Sequence, residues 1–374
     1  MNDRAHLISL TGIRAIACVW VILIHFEEPL VALTPCTQSC STALTPGYLG
    51  VDMFFALSGF VICYNYIDRL GHPTRDALRR YLVLRVARIY PVHLVTVLAV
   101  IGLYVAGSAV GITINDPSLY SPTNIIMNLG MLHQIRPAVP LNVPAWSIGV
   151  EFGAYLLFPL LAMLLVRTRS SRVVAPLLVG AFVVGCLVMH VIVNQPELPA
   201  YTWAWARAVI AFTLGSLLYV LWTQFGSRRR GAAWDAVAVL GLVVLTLSVQ
   251  LHSGDTLMYI IPLTYLGLCL LVIGAAGSSG PVYRLLSWKP MVTGGLLSFS
   301  LYMTHFQLAT VLGKVLDYDE VATYNPVVKA VMLCAIAAAV YALGWLMFHL
   351  VEEPGRKLVR RVLDPSTKKE GSPA

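Results

Sequence analysis

The amino-acid sequence predicts an all-α, polytopic membrane protein of about ten transmembrane helices, with both termini cytoplasmic. Three observations carry that prediction. The first is composition: 58% of the 374 residues are hydrophobic and 12% are charged, about half the charged share of an ordinary soluble domain. Mean hydropathy is +0.76. The second is length: a hydrocarbon core of ~30 Å takes about 20 helical residues. Ten apolar stretches reach that length, at 7–28, 48–68, 90–112, 145–166, 174–194, 200–223, 232–251, 256–276, 291–313 and 326–350. The third is the alternation of charge between them. One side receives Arg69, Arg75, Arg79, Arg80, Arg85 and Arg88, then Arg167, Arg169 and Arg172, then Arg228, Arg229 and Arg230, then Arg284 and Lys289. The other side has little beyond Arg136 and Lys314. The positive-inside rule places every Arg-rich loop in the cytoplasm, and ten spans satisfy it at each loop.

The remaining segments fit around this frame. "MNDRAH" runs into the first apolar stretch without a small-residue cleavage site, which reads as a retained helix. "NIIMNLGMLHQI" (124–135) is apolar but short; as a span it would reverse the loop that follows, so it is expected to be re-entrant or interfacial. Residues 1–353 form a single transmembrane domain and 354–374 a short basic cytoplasmic tail. Cys36 and Cys40 in "CTQSC" fall in the first outer loop, where a disulfide and two free thiols are both compatible with the spacing. No metal-ligand spacing occurs, and no basic run interleaved with stacking aromatics suggests nucleic acid.

Ionisable residues inside the spans point to function, because each costs at least ~2.5 kcal/mol to insert. "GIRAIACVWVILIH" (12–25) carries Arg14 and His25 eleven residues apart, on one helix face and roughly 16 Å apart along the axis. Counted from the outer helix ends, His25, Asp52, Glu151, Arg207 and His305 fall at similar depth on five helices. A structural ion pair accounts for any one of them; five at one depth point to a polar cavity. Asp52 and Glu151 both fit the role of a carboxylate orienting a histidine that moves a proton. Small residues flank the cluster: Gly50, Ser58 and Gly59 on one span, and Gly294, Gly295, Ser298 and Ser300 on another. They suit either close helix approach or a ligand. His93 and His133 have no comparable company and read as packing residues. At the inner boundary, Arg85 and Arg88 lie three apart and share a face if helical, an arrangement suited both to lipid anchoring and to phosphate capture.

Taken together, "GIRAIACVWVILIH", "GVDMFFALSGFVI", "RVARIYP", "NVPAWSIGVEF" and "FSLYMTHF" resemble the acyltransferase family 3 membrane proteins. The resemblance covers essentially the whole chain, in the form without a fused extracytoplasmic domain. It implies O-acyl transfer, commonly of acetyl, from a cytoplasmic acyl-CoA to a hydroxyl of a cell-surface carbohydrate or glycolipid, in a bacterial inner membrane. Acyl-CoA is then a co-substrate, with no bound cofactor and no metal. The resemblance also implies His25 as the catalytic residue and Arg14, Arg85 and Arg88 as donor-binding residues. In that scheme the Arg14–His25 face is the wall of a donor channel. His25, oriented by Asp52 or Glu151, deprotonates the acceptor hydroxyl, and Tyr302, Ser298 or Arg207 stabilises the oxyanion, with His305 nearby in the cavity. Two alternatives are a small-molecule acceptor such as a macrolide and, from another class, a proton-coupled transporter.

Overall fold

The computed structural model describes residues 5–34, 45–112, 116–135, 138–168, 170–195, 200–225, 231–251 and 257–363. Among these, all regular structure is helical. The long helices are α1 (Ala5–His25), α3 (Leu49–Leu70), α4 (Arg75–Ala109), α6 (Trp146–Arg167), α7 (Ser171–Val193), α8 (Ala200–Phe225), α9 (Ala232–Gln250), α10 (Leu257–Gly277), α12 (Lys289–Val315) and α14 (Pro326–Met347). Shorter helices are α2 (Glu27–Leu33), α5 (Pro122–Leu129), α11 (Pro281–Leu286), α13 (Tyr318–Thr323) and α15 (Glu353–Leu363). Cys36, Cys40, Arg136, Arg169 and Arg228–Arg230 lie outside the described residues.

Nine helices among the described residues are long and apolar enough to cross a membrane, and the protein is an integral, multi-pass membrane protein. The stretch 291–313, expected as a tenth span, falls in α12, which at 27 residues has ample length. Its apolar content is diluted by Gly294, Gly295, Ser298, Ser300, Thr304 and His305, and almost every residue from Gly295 to His305 is buried. A helix enclosed by other helices meets side chains instead of lipid and need not be apolar all round. α12 packs along α1 and α14 and touches α4; α1 also packs on α3, and α3 on α8. Glycine makes these approaches close. A Cβ at Gly295 would lie 1.8 Å from Thr11 O, and one at Gly59 would lie 2.0 Å from Phe212 O.

Two features depart from the expected boundaries. α4 starts at Arg75, capped by the Thr74 hydroxyl accepting from Ala77 N at 3.2 Å, so Arg79, Arg80, Arg85 and Arg88 ride one continuous 35-residue helix. At 1.5 Å per residue that helix is about 52 Å long. The basic segment expected from 354 starts as helix: α14 passes through a π-turn (Phe348–Glu352) into α15, which packs beside α4. The segment 124–135 behaves as expected of a non-spanning element. α5 has eight residues, and its buried carboxamides tie down the loop after it. Asn124 Oδ1 accepts from Val139 N at 2.8 Å, and Asn128 Oδ1 accepts from Leu141 N at 2.9 Å.

Candidate active site

A cavity of about 230 Å³ opens among α1, α3, α4, α6 and α12. Arg14, Arg85 and Arg88 reach it from α1 and α4, Glu151 and Tyr155 from α6, Ser58 from α3, and Ser298 and Tyr302 from α12. The three arginines are placed differently. Arg88 forms an ion pair with the buried Glu352. Arg85 donates to the Tyr66 hydroxyl at 3.0 Å and lies over the rings of Tyr66 and Tyr155, at 5.1 and 5.8 Å. Arg14 lies 6.0 Å from the Phe54 ring centroid. Among the described residues neither Arg14 nor Arg85 has a carboxylate partner, and the buried Nε of each has no hydrogen-bond acceptor. Desolvated guanidinium groups left this way cost free energy unless a ligand supplies acceptors. Glu151, the carboxylate within the cavity, accepts from Ser58 Oγ at 2.9 Å and Tyr155 Oη at 2.5 Å.

His25 lies beyond this cavity, paired with a second histidine. His305 Nδ1 stands 3.2 Å from Leu301 O, a group that only accepts, so the proton of neutral His305 sits on Nδ1 and its Nε2 is a lone pair. His25 Nδ1 faces that Nε2 at 3.2 Å and Val21 O at 2.9 Å. Both are acceptors, so His25 also carries its proton on Nδ1, leaving Nε2 as the free base with no partner among the described residues. Phe306 packs edge-on against the His25 ring at 5.2 Å and holds its plane.

The five groups read from sequence at one depth therefore divide into three sites. His25 and His305 form one. Asp52 and Arg207 form the second, a bidentate pair at 3.1 and 2.6 Å. Arg207 also donates to Tyr48 O at 2.8 Å and is stacked between Tyr48 and Trp146. Asp52 thus contacts Arg207 and not His25, and Arg207 is held by Asp52 and Tyr48 O. Glu151 is the third, meeting Ser58, six residues or about 9 Å further along α3 than Asp52. Counting from helix ends does not find this contact, because the level of α3 that Glu151 meets depends on how α6 packs against it; Pro144 and Ala145, in the turn before α6, are already buried in the protein. Glu151 does not contact His25 either, so among the described residues neither expected carboxylate bonds to it.

The Arg14–His25 face is likewise not an open channel. Between them Cys18 and Val21 are buried, and Cys18 Sγ donates to Ser298 O at 3.3 Å. Tyr302 stands at the junction: it lines the cavity, its hydroxyl donates to Pro144 O at 2.9 Å, and its ring lies 5.8 Å from that of His305. His93 and His133 are not solitary; both are buried and stack at 5.4 Å. Sequence reasoning missed Tyr66, Ser147 and Tyr155 of this region, and above all Glu352. The signal for Glu352 was "VEEP", an acid at the end of an otherwise apolar run.

The Asp52–Arg207 pair carries a prediction. Asp52→Ala leaves a largely enclosed guanidinium without a counter-charge and should destabilise the protein by about 3 kcal/mol. Asp52→Ala with Arg207→Met should recover most of the loss. Thermal unfolding of detergent-purified protein reads both variants, and recovery of donor affinity along with stability would place the pair outside the chemistry.

Residues 7–348 match a family model described as an acyltransferase domain. O-acetyltransferase OatA of Staphylococcus aureus is 23% identical over 377 residues, which are 96% of this chain and 58% of the relative; the chain thus spans little more than half of that protein. Acyltransferase MdmB of Streptomyces mycarofaciens is 24% identical over 381 residues, 94% of this chain and 92% of its own length. YrhL of Bacillus subtilis, provisionally named a peptidoglycan O-acetyltransferase, is 22% identical over 371 residues, 93% and 54% of the two chains. No solved structure matches the chain. With the family match running through every helix that lines the cavity, the chain belongs to acyltransferase family 3.

Proposed function

We propose that this protein is a membrane O-acyltransferase that moves an acyl group, acetyl by preference, from an acyl-CoA on the Arg-rich side to a hydroxyl presented near His25. The observation that carries the reading is the pair of half-buried arginines, Arg14 and Arg85, which face one cavity without carboxylate partners among the described residues and whose buried Nε atoms lack acceptors. The phosphate-bearing end of the donor supplies the acceptors they lack. A thioester-bearing arm then runs along the cavity toward Tyr302, whose ring has to turn aside for the thioester to reach the histidine pair. At His25, Nε2 takes the proton of the acceptor hydroxyl as the oxygen attacks the thioester carbonyl. The C–O bond forms, the C–S bond breaks, and the CoA thiolate leaves and recovers the proton.

A carbohydrate or glycolipid hydroxyl of the cell envelope is the first choice of acceptor, in line with the provisional name of the Bacillus relative. A small-molecule acceptor is the second reading, favoured by the near full-length match to MdmB. Purified protein incubated with acetyl-CoA and each acceptor class tests the proposal by thiol release and by mass shift of the acceptor. Acyl transfer that needs both substrates is the expected result. Substrate flux through proteoliposomes with no acylation would favour the carrier reading instead.

A further inference from the structure

The Arg-x-x-Arg element of α4 presents Arg85 and Arg88 as an equivalent pair, but their surroundings differ. Arg88 Nη1 bonds Glu352 Oε1, and Glu352 is 1% exposed. Both oxygens of this carboxylate are engaged. Ser300 Oγ donates to Oε2 at 2.7 Å, and Arg356 Nη1 stands 3.7 Å from Oε1. Glu352 closes the π-turn between α14 and α15, and such turns often mark functional positions within helices. α15 is seated beside α4 close by, where Gly355 leaves room for the Pro91 ring; a Cβ there would lie 2.8 Å from Pro91 Cγ. The last helix thus carries a carboxylate to the back of the cavity wall formed by Arg88 and Phe299, whose ring lies 5.5 Å from the guanidinium.

Building on the donor reading above, we propose that Glu352 is a positioning residue for the donor site: it engages Arg88 as part of the wall, so that Arg14 and Arg85 take the donor's anionic groups. The Arg-x-x-Arg element is then functionally split, with Arg85 a ligand-binding residue and Arg88 the tether of α4 to the last helix. A pair neutralised in place differs from a pair that binds phosphate, and a double substitution separates them. Removing one partner leaves a buried unpaired charge, whereas removing both charges with volumes roughly kept is close to neutral. Glu352→Gln keeps an acceptor for Ser300 while discharging the site.

The test compares wild type, Arg85→Met, Arg88→Met, Glu352→Gln and the Arg88→Met/Glu352→Gln double variant. Binding of acetyl-CoA and of inorganic pyrophosphate is measured by calorimetry, donor KM and kcat by thiol release, and folding by thermal unfolding. Arg85→Met should weaken both ligands at least ~10-fold, the loss of one charge-assisted contact. Arg88→Met alone should lower the unfolding temperature. The double variant should recover it and keep affinity within about threefold of wild type, below the tenfold that one such contact carries. Glu352→Gln alone frees a third guanidinium into the cavity and should tighten pyrophosphate binding while lowering kcat. A double variant that folds but binds as weakly as Arg85→Met overturns the proposal, because Arg88 is then itself an anion ligand. Wild type that binds neither probe overturns it as well. Wild type that binds pyrophosphate but not acetyl-CoA removes the donor reading and leaves the division of the arginines standing.

Discussion

His25→Ala is expected to reduce acyl transfer by about 10²–10⁴-fold, the usual contribution of a general base, with donor affinity unchanged because His25 lies outside the cavity that holds the arginines. The prediction is specific to one nitrogen. Nδ1 is engaged by Val21 O and His305 Nε2, so Nε2 is the atom that must meet the hydroxyl. His305→Phe removes one of those two acceptors and should cost less, about 10–100-fold, as the ring loses its fixed orientation. In wild type, kcat/KM should fall tenfold per pH unit on the acid side, since a protonated imidazole cannot act as base. That acid limb should disappear from the residual activity of His25→Ala. Full activity in a folded His25→Ala protein would remove the histidine from the chemistry altogether.

Arg14→Met should have opposite effects on stability and on binding. In the unliganded protein Arg14 is a half-buried cation whose buried Nε lacks an acceptor, an arrangement that costs folding free energy. Methionine fills much of the same space without a charge, so the unliganded protein should unfold about 2 °C or more higher, the shift expected for roughly 1 kcal/mol in a large domain. Donor KM should rise about 10–100-fold, with a smaller change in kcat. Arg14→Lys should recover only part of the binding, because an ammonium lacks the planar fork that grips phosphate oxygens. A stabilised protein with poorer donor binding would identify Arg14 as a residue kept for its ligand at the expense of the fold. A destabilised one would show that the guanidinium serves packing.

Helix positions were legible in the sequence because span length and loop charge are set by the bilayer, a constraint that acts locally on each segment. Lateral pairing was not, because it depends on which helices neighbour one another. Counting depth from helix ends grouped Asp52, Glu151 and Arg207 with the histidines. Asp52 and Arg207 instead neutralise each other across α3 and α8, while the packing of α6 on α3 brings Glu151 to Ser58. The eleven-residue Arg14–His25 spacing fixed a shared face correctly but gave no sign that α12 covers its middle through Cys18 and Ser298. The sequence shows His305 as a polar residue in the outer half of its helix; its contact with His25 depends on the crossing of α1 and α12. Glu352 escaped notice because its partner lies 264 residues away.

In the reaction proposed above, a donor held at the Arg-rich end acylates a hydroxyl at the His25 end of the same protein. It is tested most directly in proteoliposomes of known orientation, with labelled acetyl-CoA confined to the Arg-rich side and the hydroxyl acceptor confined to the other. Label recovered on the acceptor, absent with His25→Ala and reduced with Arg14→Met, is the result predicted here. Label transferred only when donor and acceptor share one side would contradict it.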